Sequence, residues 1–234
     1  PICYEEAACQ GIMAGMNAHL KINHKEPFVL HRSDAYIGVL IDDLIGKGTN
    51  EPYRMFTSRA EFRTLLRQDN ADLRLTEISY KLGLAKEERM RRVDLKNQEV
   101  AEIKNILNTQ SVEPTEINEF LTSIDSATLN EKQKASKLVL RPNISLSQIT
   151  AHTPSLKEKL ANKETEFLEQ AEIQVKYERY IEKEKEIVDR MASLENLAIP
   201  DQFDYDKVAA LSIEALQKFK KIKPTTIGQA SRIS

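Results

Sequence analysis

A cluster of arginines is the strongest chemical signal in the sequence. The segment 52–76 contains no lysine and has five arginines within 21 positions: Arg54, Arg59, Arg63, Arg67 and Arg74. A planar guanidinium group binds two phosphate oxygens at once and stacks on aromatic rings, which an ammonium group does poorly. If the segment is helical, Arg59, Arg63 and Arg67 recur every four residues along one face about 12 Å long. The spacing therefore predicts contact with the phosphate backbone of a nucleic acid.

Other side chains of this segment leave two interpretations open. Three aromatic rings could stack on bases, as rings do where proteins bind single-stranded RNA: Tyr53, Phe56 and Phe62. Three carboxylates could instead pair with the arginines inside the fold: Glu61, Asp69 and Asp72. Five arginines against three carboxylates leave a net charge of +2 in the segment. From the residues alone, nucleic-acid binding and internal salt bridging are about equally supported.

The sequence offers little for catalysis. The four histidines lack the spacing of metal ligands, and no Cys-x-x-Cys, nucleotide-binding glycine motif or nucleophile motif occurs. Adjacent carboxylates are present as Glu5–Glu6 and Asp42–Asp43, but neighbours on a helix point about 100° apart and do not form an acid–base pair. We therefore assign no catalytic residue and no metal ligand.

The composition predicts a mainly helical protein outside the membrane. Of 234 residues only 7 are glycine, under half the usual share of about 7%, which is too few for a nucleotide-binding sheet. No run approaches 18 apolar residues, and the net charge is −2. The N-terminus lacks a secretory signal, and Cys3 and Cys9 are too few for a disulfide framework. We expect reduced thiols, a cytoplasmic location and, since Pro1 stands in place of an initiator Met, a fragment of a longer protein.

Apolar periodicity places helices along most of the chain. A helix at 4–20 has small residues on one side, which favours close packing on a sheet or cofactor domain. Ser58 and Glu61 match a capping box at the start of a helix through Leu66, and residues 54–57 could form a short strand before it. A brief helix is predicted to begin at Thr76 and end at Gly83. Further helices follow from residue 86 onward, with short ones at 134–140 and 145–151. The longest spans 163–193, where Glu184 interrupts the apolar stripe.

Four stretches in order carry a resemblance to a known family. They are residues 4–18, residues 33–44 continuing through the arginine segment to Thr76, residues 173–177 and residues 227–233. These stretches resemble the signatures of the MnmG (GidA) family of flavoenzymes, which modify wobble uridines in tRNA. The likeness covers essentially the whole chain. One departure lies at residues 1–3, where the family has a glycine-rich turn near the flavin.

The resemblance implies an activity for a longer enzyme. Together with the GTPase MnmE, the family's enzyme adds a carboxymethylaminomethyl or aminomethyl group to C5 of the wobble uridine. It uses FAD, NADH, methylene-tetrahydrofolate and glycine or ammonium. The FAD-binding core would precede this chain, so the fragment alone is not expected to be catalytic. The resemblance also implies a homodimer and makes the five arginines contacts to the anticodon arm of tRNA.

The implied organisation is a helical C-terminal domain preceded by a remnant of an FAD-binding α/β domain. Residues 1–30 would be the last helix and edge of the FAD-binding domain, and 31–85 a connecting helix with the arginine segment. Residues 86–200 would form a helical bundle and 201–234 a truncated helical subdomain. The residues nearest to FAD would be Tyr4, Glu5 and Glu6.

Two other protein classes stay open at this point. One is the related folate- and FAD-dependent tRNA uridine methyltransferase, which lacks such a helical domain; the long helical part after Thr76 argues against it. The other is a non-catalytic helical scaffold that binds protein only. Binding of tRNA separates the scaffold from the enzyme.

Overall fold

The computed structural model describes residues 4–47, 53–57, 60–195 and 197–233. The chain divides into two compact units, one formed by Pro1–Arg67 with Ile181–Ser234 and the other by Gln68–Tyr180. The described residues contain eleven α-helices, one pair of two-residue strands and one short 3-10 helix. The predicted mainly α fold is thus confirmed. No helix in this part of the chain is long and apolar enough to cross a membrane.

The elements follow one another with short connections. The helices are α1 Tyr4–Ile22, α2 Tyr36–Lys47, α3 Ala71–Lys81, α4 Glu87–Thr109, α5 Pro114–Ser123, α6 Ala135–Val139, α7 Leu146–His152, α8 Pro154–Leu160, α9 Thr165–Glu195, α10 Ile213–Ile222 and α11 Ile227–Ser231. The strands β1 Ser111–Val112 and β2 Gln133–Lys134 pair antiparallel, with Ser111 opposite Lys134. A short 3-10 helix covers Tyr205–Lys207.

The unit at 68–180 has a continuous apolar core. Helix α4 contributes Val100, Ile103 and Leu107, which share one helical face because they lie three and four residues apart. Helix α9 contributes Phe167 and Ala171 at the same spacing. Burying each large apolar side chain stabilises the fold by about 1.5–3 kcal/mol. The amphipathic pattern predicted from residue 86 onward is therefore what builds this core.

A buried lysine joins three helices of the same unit. Lys96 on α4 is 3% exposed, and its Nζ lies 2.9 Å from carboxylate oxygens of both Asp72 on α3 and Glu166 on α9. Burial lowers the pKa of Lys96, but hydrogen bonds to Glu166 and Asp72 outweigh it and raise the pKa above its usual value. The same bonds hold the pKa of Glu166 below its usual range.

A close approach of two chain segments fixes one glycine in the other unit. Helix α2 passes the backbone at Leu30 and His31 so closely that a Cβ on Gly38 would collide with the carbonyl oxygen of His31. By contrast, a Cβ on Gly11 or Gly15 of α1 would meet nothing within 4 Å. The close packing expected for the small-residue face of α1 is therefore not provided by the described residues.

The structure corrects several expected elements. No helix forms between residue 60 and Asn70, so the helix predicted from the capping box is wrong; Ser58 itself lies outside the described residues. Residues 54–57, expected as a possible short strand, form no strand. Helix α3 begins at Ala71 rather than Thr76, and helix α8 was not predicted. The longest helix, predicted at 163–193, is confirmed as α9 at Thr165–Glu195.

Candidate nucleic-acid interface

The segment at 53–57 is held from both sides by hydrogen bonds to helices. The hydroxyl of Tyr53 donates to Oδ2 of Asp43 on α2 at 2.9 Å, and Tyr53 is buried. Two residues on, the backbone N–H of Met55 donates to Oε1 of Glu6 on α1 at 2.9 Å. Tyr53 and Met55 are thus fixed against the protein.

The residues that follow each of these anchors, Arg54 and Phe56, are exposed. Arg54 is exposed, and Phe56 is 50% exposed. The guanidinium carbon of Arg54 lies 5.4 Å from the centroid of the Phe56 ring, which is a cation–π distance. Within the described part of the chain Arg54 forms no ion pair. Its positive charge is therefore not neutralised by a carboxylate of the described residues.

A cluster of charges around one buried arginine fixes the start of the next turn. Arg32 donates from Nη1 to Asp42 at 2.7 Å and to Asp43 at 2.9 Å. It also donates two hydrogen bonds to the carboxylate of Glu61, from Nη2 to Oε1 at 2.6 Å and from Nε to Oε2 at 2.9 Å. Burial opposes the charge of Arg32, but its hydrogen bonds to Glu61, Asp43 and Asp42 outweigh burial and raise its pKa. Glu61 therefore binds Arg32 and does not cap a helix.

The turn after Glu61 has an unusual backbone. Phe62 adopts a left-handed conformation with φ 50°, which is strained for a bulky side chain. Its carbonyl oxygen accepts the backbone N–H groups of Leu65 at 2.9 Å and Leu66 at 2.8 Å. This tight turn replaces the expected helix, so the face formed by Arg59, Arg63 and Arg67 does not exist as predicted.

Glu184 of α9 caps this turn. Its carboxylate accepts the backbone N–H of Thr64 at 3.3 Å and that of Leu65 at 2.9 Å. All three residues belong to the same compact unit. Glu184 interrupts the apolar stripe of α9 because its carboxylate accepts backbone hydrogen bonds from the turn. That interruption was the one sign in the sequence that Glu184 has a role other than packing, but it did not indicate the partners.

Removing this cap gives a measurable expectation. Glu184→Ala leaves the backbone N–H of Thr64 without its acceptor and leaves that of Leu65 only the carbonyl oxygen of Phe62, at a cost of about 1–3 kcal/mol in the free energy of unfolding. We expect the amides of Thr64 and Leu65 to exchange hydrogen faster in this variant, measured by NMR. Glu182→Ala is the matched control, because Glu182 is an exposed acid on the same helix. Unchanged exchange at both amides in Glu184→Ala would contradict the assignment.

The five arginines have different environments. Arg63 is exposed and, like Arg54, forms no ion pair with any described residue. Arg67 is half-buried and donates to the carbonyl oxygen of Thr64 at 2.5 Å. Arg74 is half-buried on α3 in the other unit and donates to Oδ1 of Asn70 at 2.9 Å. Arg59 lies outside the described residues.

Two of the three carboxylates of the segment have partners other than these arginines. Glu61 pairs with Arg32, and Asp72 pairs with Lys96. Internal salt bridging within the segment, the alternative left open by the sequence, therefore does not account for Arg54 and Arg63. Both remain exposed cations on one compact unit.

The residues predicted to lie near FAD are at the start of α1. Tyr4 is 94% exposed and Glu5 is exposed. Glu6 is half-buried, and its carboxylate accepts a hydrogen bond from the backbone N–H of Met55. Burial, with Glu5 and Glu6 nearby, raises the pKa of the Cys9 thiol, so Cys9 is not an activated thiolate. Cys3 lies outside the described residues. In the part of the chain that is described, no three His, Cys, Asp or Glu side chains are grouped to hold a metal ion.

A cavity of about 420 Å³ lies in the unit that carries the turn. Its lining is mostly apolar, including Ile41, Phe62 and Met191. The charged groups in the lining are already paired, since Arg232 bonds to Glu195 and to Asp42. We assign no ligand to it.

Two family models match the chain. The description "tRNA modifying enzyme MnmG/GidA C-terminal helical domain" matches residues 87–185. The description "tRNA modifying enzyme MnmG/GidA C-terminal helical bundle" matches residues 187–234. Together these two matches cover more than half of the chain.

Curated relatives and solved structures agree with these models. The chain is 54% identical over 233 residues to tRNA uridine 5-carboxymethylaminomethyl modification enzyme MnmG from Flavobacterium psychrophilum, covering 99% of this chain and 37% of the relative. It is 50% identical over 232 residues to the MnmG enzyme of Clostridium novyi, covering 99% and 36%. A structure of GidA from Aquifex aeolicus (form II crystal) aligns with a TM-score of 0.74 at 40% identity, over 99% of this chain and 36% of that one. The chain thus spans little more than a third of the length of these relatives.

Proposed function

Because this chain belongs to the MnmG/GidA family of tRNA-modifying enzymes, we propose that it forms the C-terminal, tRNA-binding part of such an enzyme. The longer enzyme adds a carboxymethylaminomethyl or aminomethyl group to C5 of the wobble uridine in the cytoplasm. It acts as a homodimer with the GTPase MnmE and uses FAD, NADH and methylene-tetrahydrofolate. This chain supplies binding and orientation of the tRNA and no catalytic group.

The exposed cations carry the proposal. Arg54 and Arg63 have no ion-pair partner among the described residues, while Glu61 and Asp72 are occupied elsewhere. A guanidinium group in water gains most from a phosphate, which it binds through two parallel hydrogen bonds. Since the chain as a whole carries a net charge of −2, attraction to RNA must come from such local cations. The proposal assigns the anticodon arm to this surface, with Arg67 and Arg59 as further contacts. Arg74, in the other unit, is proposed as a separate contact to the tRNA.

The cofactor belongs to the rest of the longer enzyme. A helix N-terminus that binds a pyrophosphate needs glycine and a positive field, but the first turn of α1 carries Glu5 and Glu6. Their negative charge opposes a phosphate, so the first turn of α1 does not fit the pyrophosphate of FAD. We propose that residues 1–30 are the edge of the FAD-binding domain, with Tyr4, Glu5 and Glu6 near that domain's site. Residues 31–85, 86–200 and 201–234 then form the connecting, bundle and C-terminal parts.

Fluorescence polarisation tests the proposed function. A labelled RNA stem–loop with the sequence of a tRNA anticodon arm is titrated with the full-length protein at low salt. We expect saturable binding that weakens steeply as salt rises, because phosphate contacts release counterions. Absence of binding at low salt would contradict the proposal and favour a helical scaffold that binds protein only. A blunt RNA duplex without a loop serves as the control for binding to any polyanion.

A further inference from the structure

Phe56 differs from the other two aromatic residues of the arginine segment. Tyr53 is 7% exposed, with its hydroxyl bonded to Asp43. Phe62 is half-buried in the strained turn and lines the cavity. Phe56 alone of the three is 50% exposed, although an aromatic ring of its size gains from burial. Its exposure is therefore the feature that needs a reason.

The backbone around Phe56 is already fixed. Tyr53 is anchored to Asp43, and Met55 is anchored to Glu6. The backbone of Arg54 and Phe56, which follow these two anchors, therefore has little conformational freedom. The backbone N–H of Phe56 also donates to the carbonyl oxygen of Arg54 at 3.1 Å, which closes a tight turn. A side chain presented by a fixed backbone loses less entropy on binding than one on a mobile loop. Exposure here thus comes with pre-organisation.

Arg54 makes the ring a better stacking surface. Its guanidinium carbon lies 5.4 Å from the ring centroid of Phe56, and the ring is still 50% exposed with this cation beside it. The same cation remains able to bind a phosphate, since it has no ion-pair partner among the described residues. A base stacked on an aromatic ring beside an arginine-bound phosphate is the arrangement by which proteins hold single-stranded nucleic acid.

We propose that Phe56, with Arg54 against it, is a stacking platform for one unpaired base of the anticodon loop. The proposal rests on the proposed function, because it needs tRNA to be the ligand. It adds a base contact to a surface otherwise assigned to phosphates. A stem–loop is thereby favoured over a plain duplex, since only unpaired bases present a free face.

Binding of stem–loops by variants of the full-length protein tests the platform. Phe56→Leu keeps an apolar side chain but removes the ring, and we expect its affinity for the anticodon stem–loop to fall on the order of tenfold. Phe56→Trp should bind as tightly as the unmodified protein. The slope of log affinity against log salt should stay the same in Phe56→Leu, because no charge is lost. Phe203→Leu is the matched control, since Phe203 is 42% exposed in the same unit.

Loops that lack single bases give the second arm. Each stem–loop of a second series lacks the base at one loop position. We expect one of these loops to bind the unmodified protein more weakly than the complete loop does. For that loop, Phe56→Leu should cause no further loss of affinity, because the stacked base is already absent. The proposal is overturned if Phe56→Leu binds every loop like the unmodified protein, or if it loses affinity equally for a loop-free duplex. Either result leaves salt-dependent binding by the unmodified protein intact. Failure of the proposed function is different, because then the unmodified protein binds no stem–loop at all.

Discussion

Arg32→Met is expected to lower the free energy of unfolding by about 3–5 kcal/mol. The guanidinium group of Arg32 is the shared partner of Asp42, Asp43 and Glu61, and Asp43 is only 2% exposed. Methionine fills a similar volume but leaves buried negative charge without compensation. Breaking a buried ion pair by removing one partner costs far more than the pair itself contributes, because the remaining charge has lost its hydration.

Chemical denaturation followed by circular dichroism measures this effect. Arg91→Met is the matched control, because Arg91 is an exposed arginine paired with Glu87 four residues earlier. Such a surface pair contributes no more than about 0.5 kcal/mol. The free energy of unfolding that Arg32→Lys loses should lie between the losses of these two variants. An ammonium group keeps the charge but cannot form the two parallel hydrogen bonds that Arg32 donates to Glu61. A loss below about 1 kcal/mol in Arg32→Met would contradict the role assigned to this cluster.

The charge cluster also explains where prediction from sequence failed. Ser58 and Glu61 have the spacing of a capping box, and local sequence favours a helix there. In the structure Glu61 binds Arg32, 29 positions away in the sequence. Phe62 then turns into a left-handed conformation that no helix contains. A contact so distant in sequence outweighs local preference, and no local pattern could have shown it.

The helices from residue 86 onward could be predicted because their information is local. The apolar residues of α4 and α9 repeat at helical spacing, and these residues form the core. The family motifs likewise predicted the relationship that the family models and relatives confirm.

The sequence was enough to predict that the candidate site is cationic, but not how its side chains are arranged. Five arginines in one segment indicated a cationic surface, but their exposure depends on tertiary contacts. Arg67 bonds to the turn itself, whereas Arg63, four residues earlier, is exposed. The role of Glu184 was visible only as an interruption of an apolar stripe. What the residue caps could not be read from the sequence, because its partners lie 119 and 120 positions away.

Arg54→Ala/Arg63→Ala is expected to weaken tRNA binding by the full-length protein on the order of 100-fold at low salt. Each guanidinium–phosphate contact is charge-assisted and contributes about 1.5–3 kcal/mol before costs of ordering. Both arginines are exposed and form no ion pair within the described chain, so their loss should leave the free energy of unfolding nearly unchanged. A large effect on binding with a small effect on stability would mark these residues as a contact surface.

The matched control removes the same charge elsewhere. Arg89→Ala/Arg91→Ala deletes two exposed arginines from helix α4, and Arg91 already has Glu87 as its partner. Because the net charge changes by the same amount, any general attraction of the protein for RNA falls equally in both double variants. Only loss of specific phosphate contacts separates them. We expect the α4 variant to bind tRNA within about twofold of the unmodified protein.

The salt dependence of tRNA binding tests the central claim most directly, because its slope counts phosphate contacts. Dissociation constants for tRNA are measured from low to physiological salt for the unmodified protein and both double variants. Loss of two phosphate contacts should make the slope of log affinity against log salt shallower by about 1.5 in Arg54→Ala/Arg63→Ala. The α4 variant should keep the slope of the unmodified protein. Equal slopes in all three proteins would contradict the claim that Arg54 and Arg63 bind the tRNA backbone.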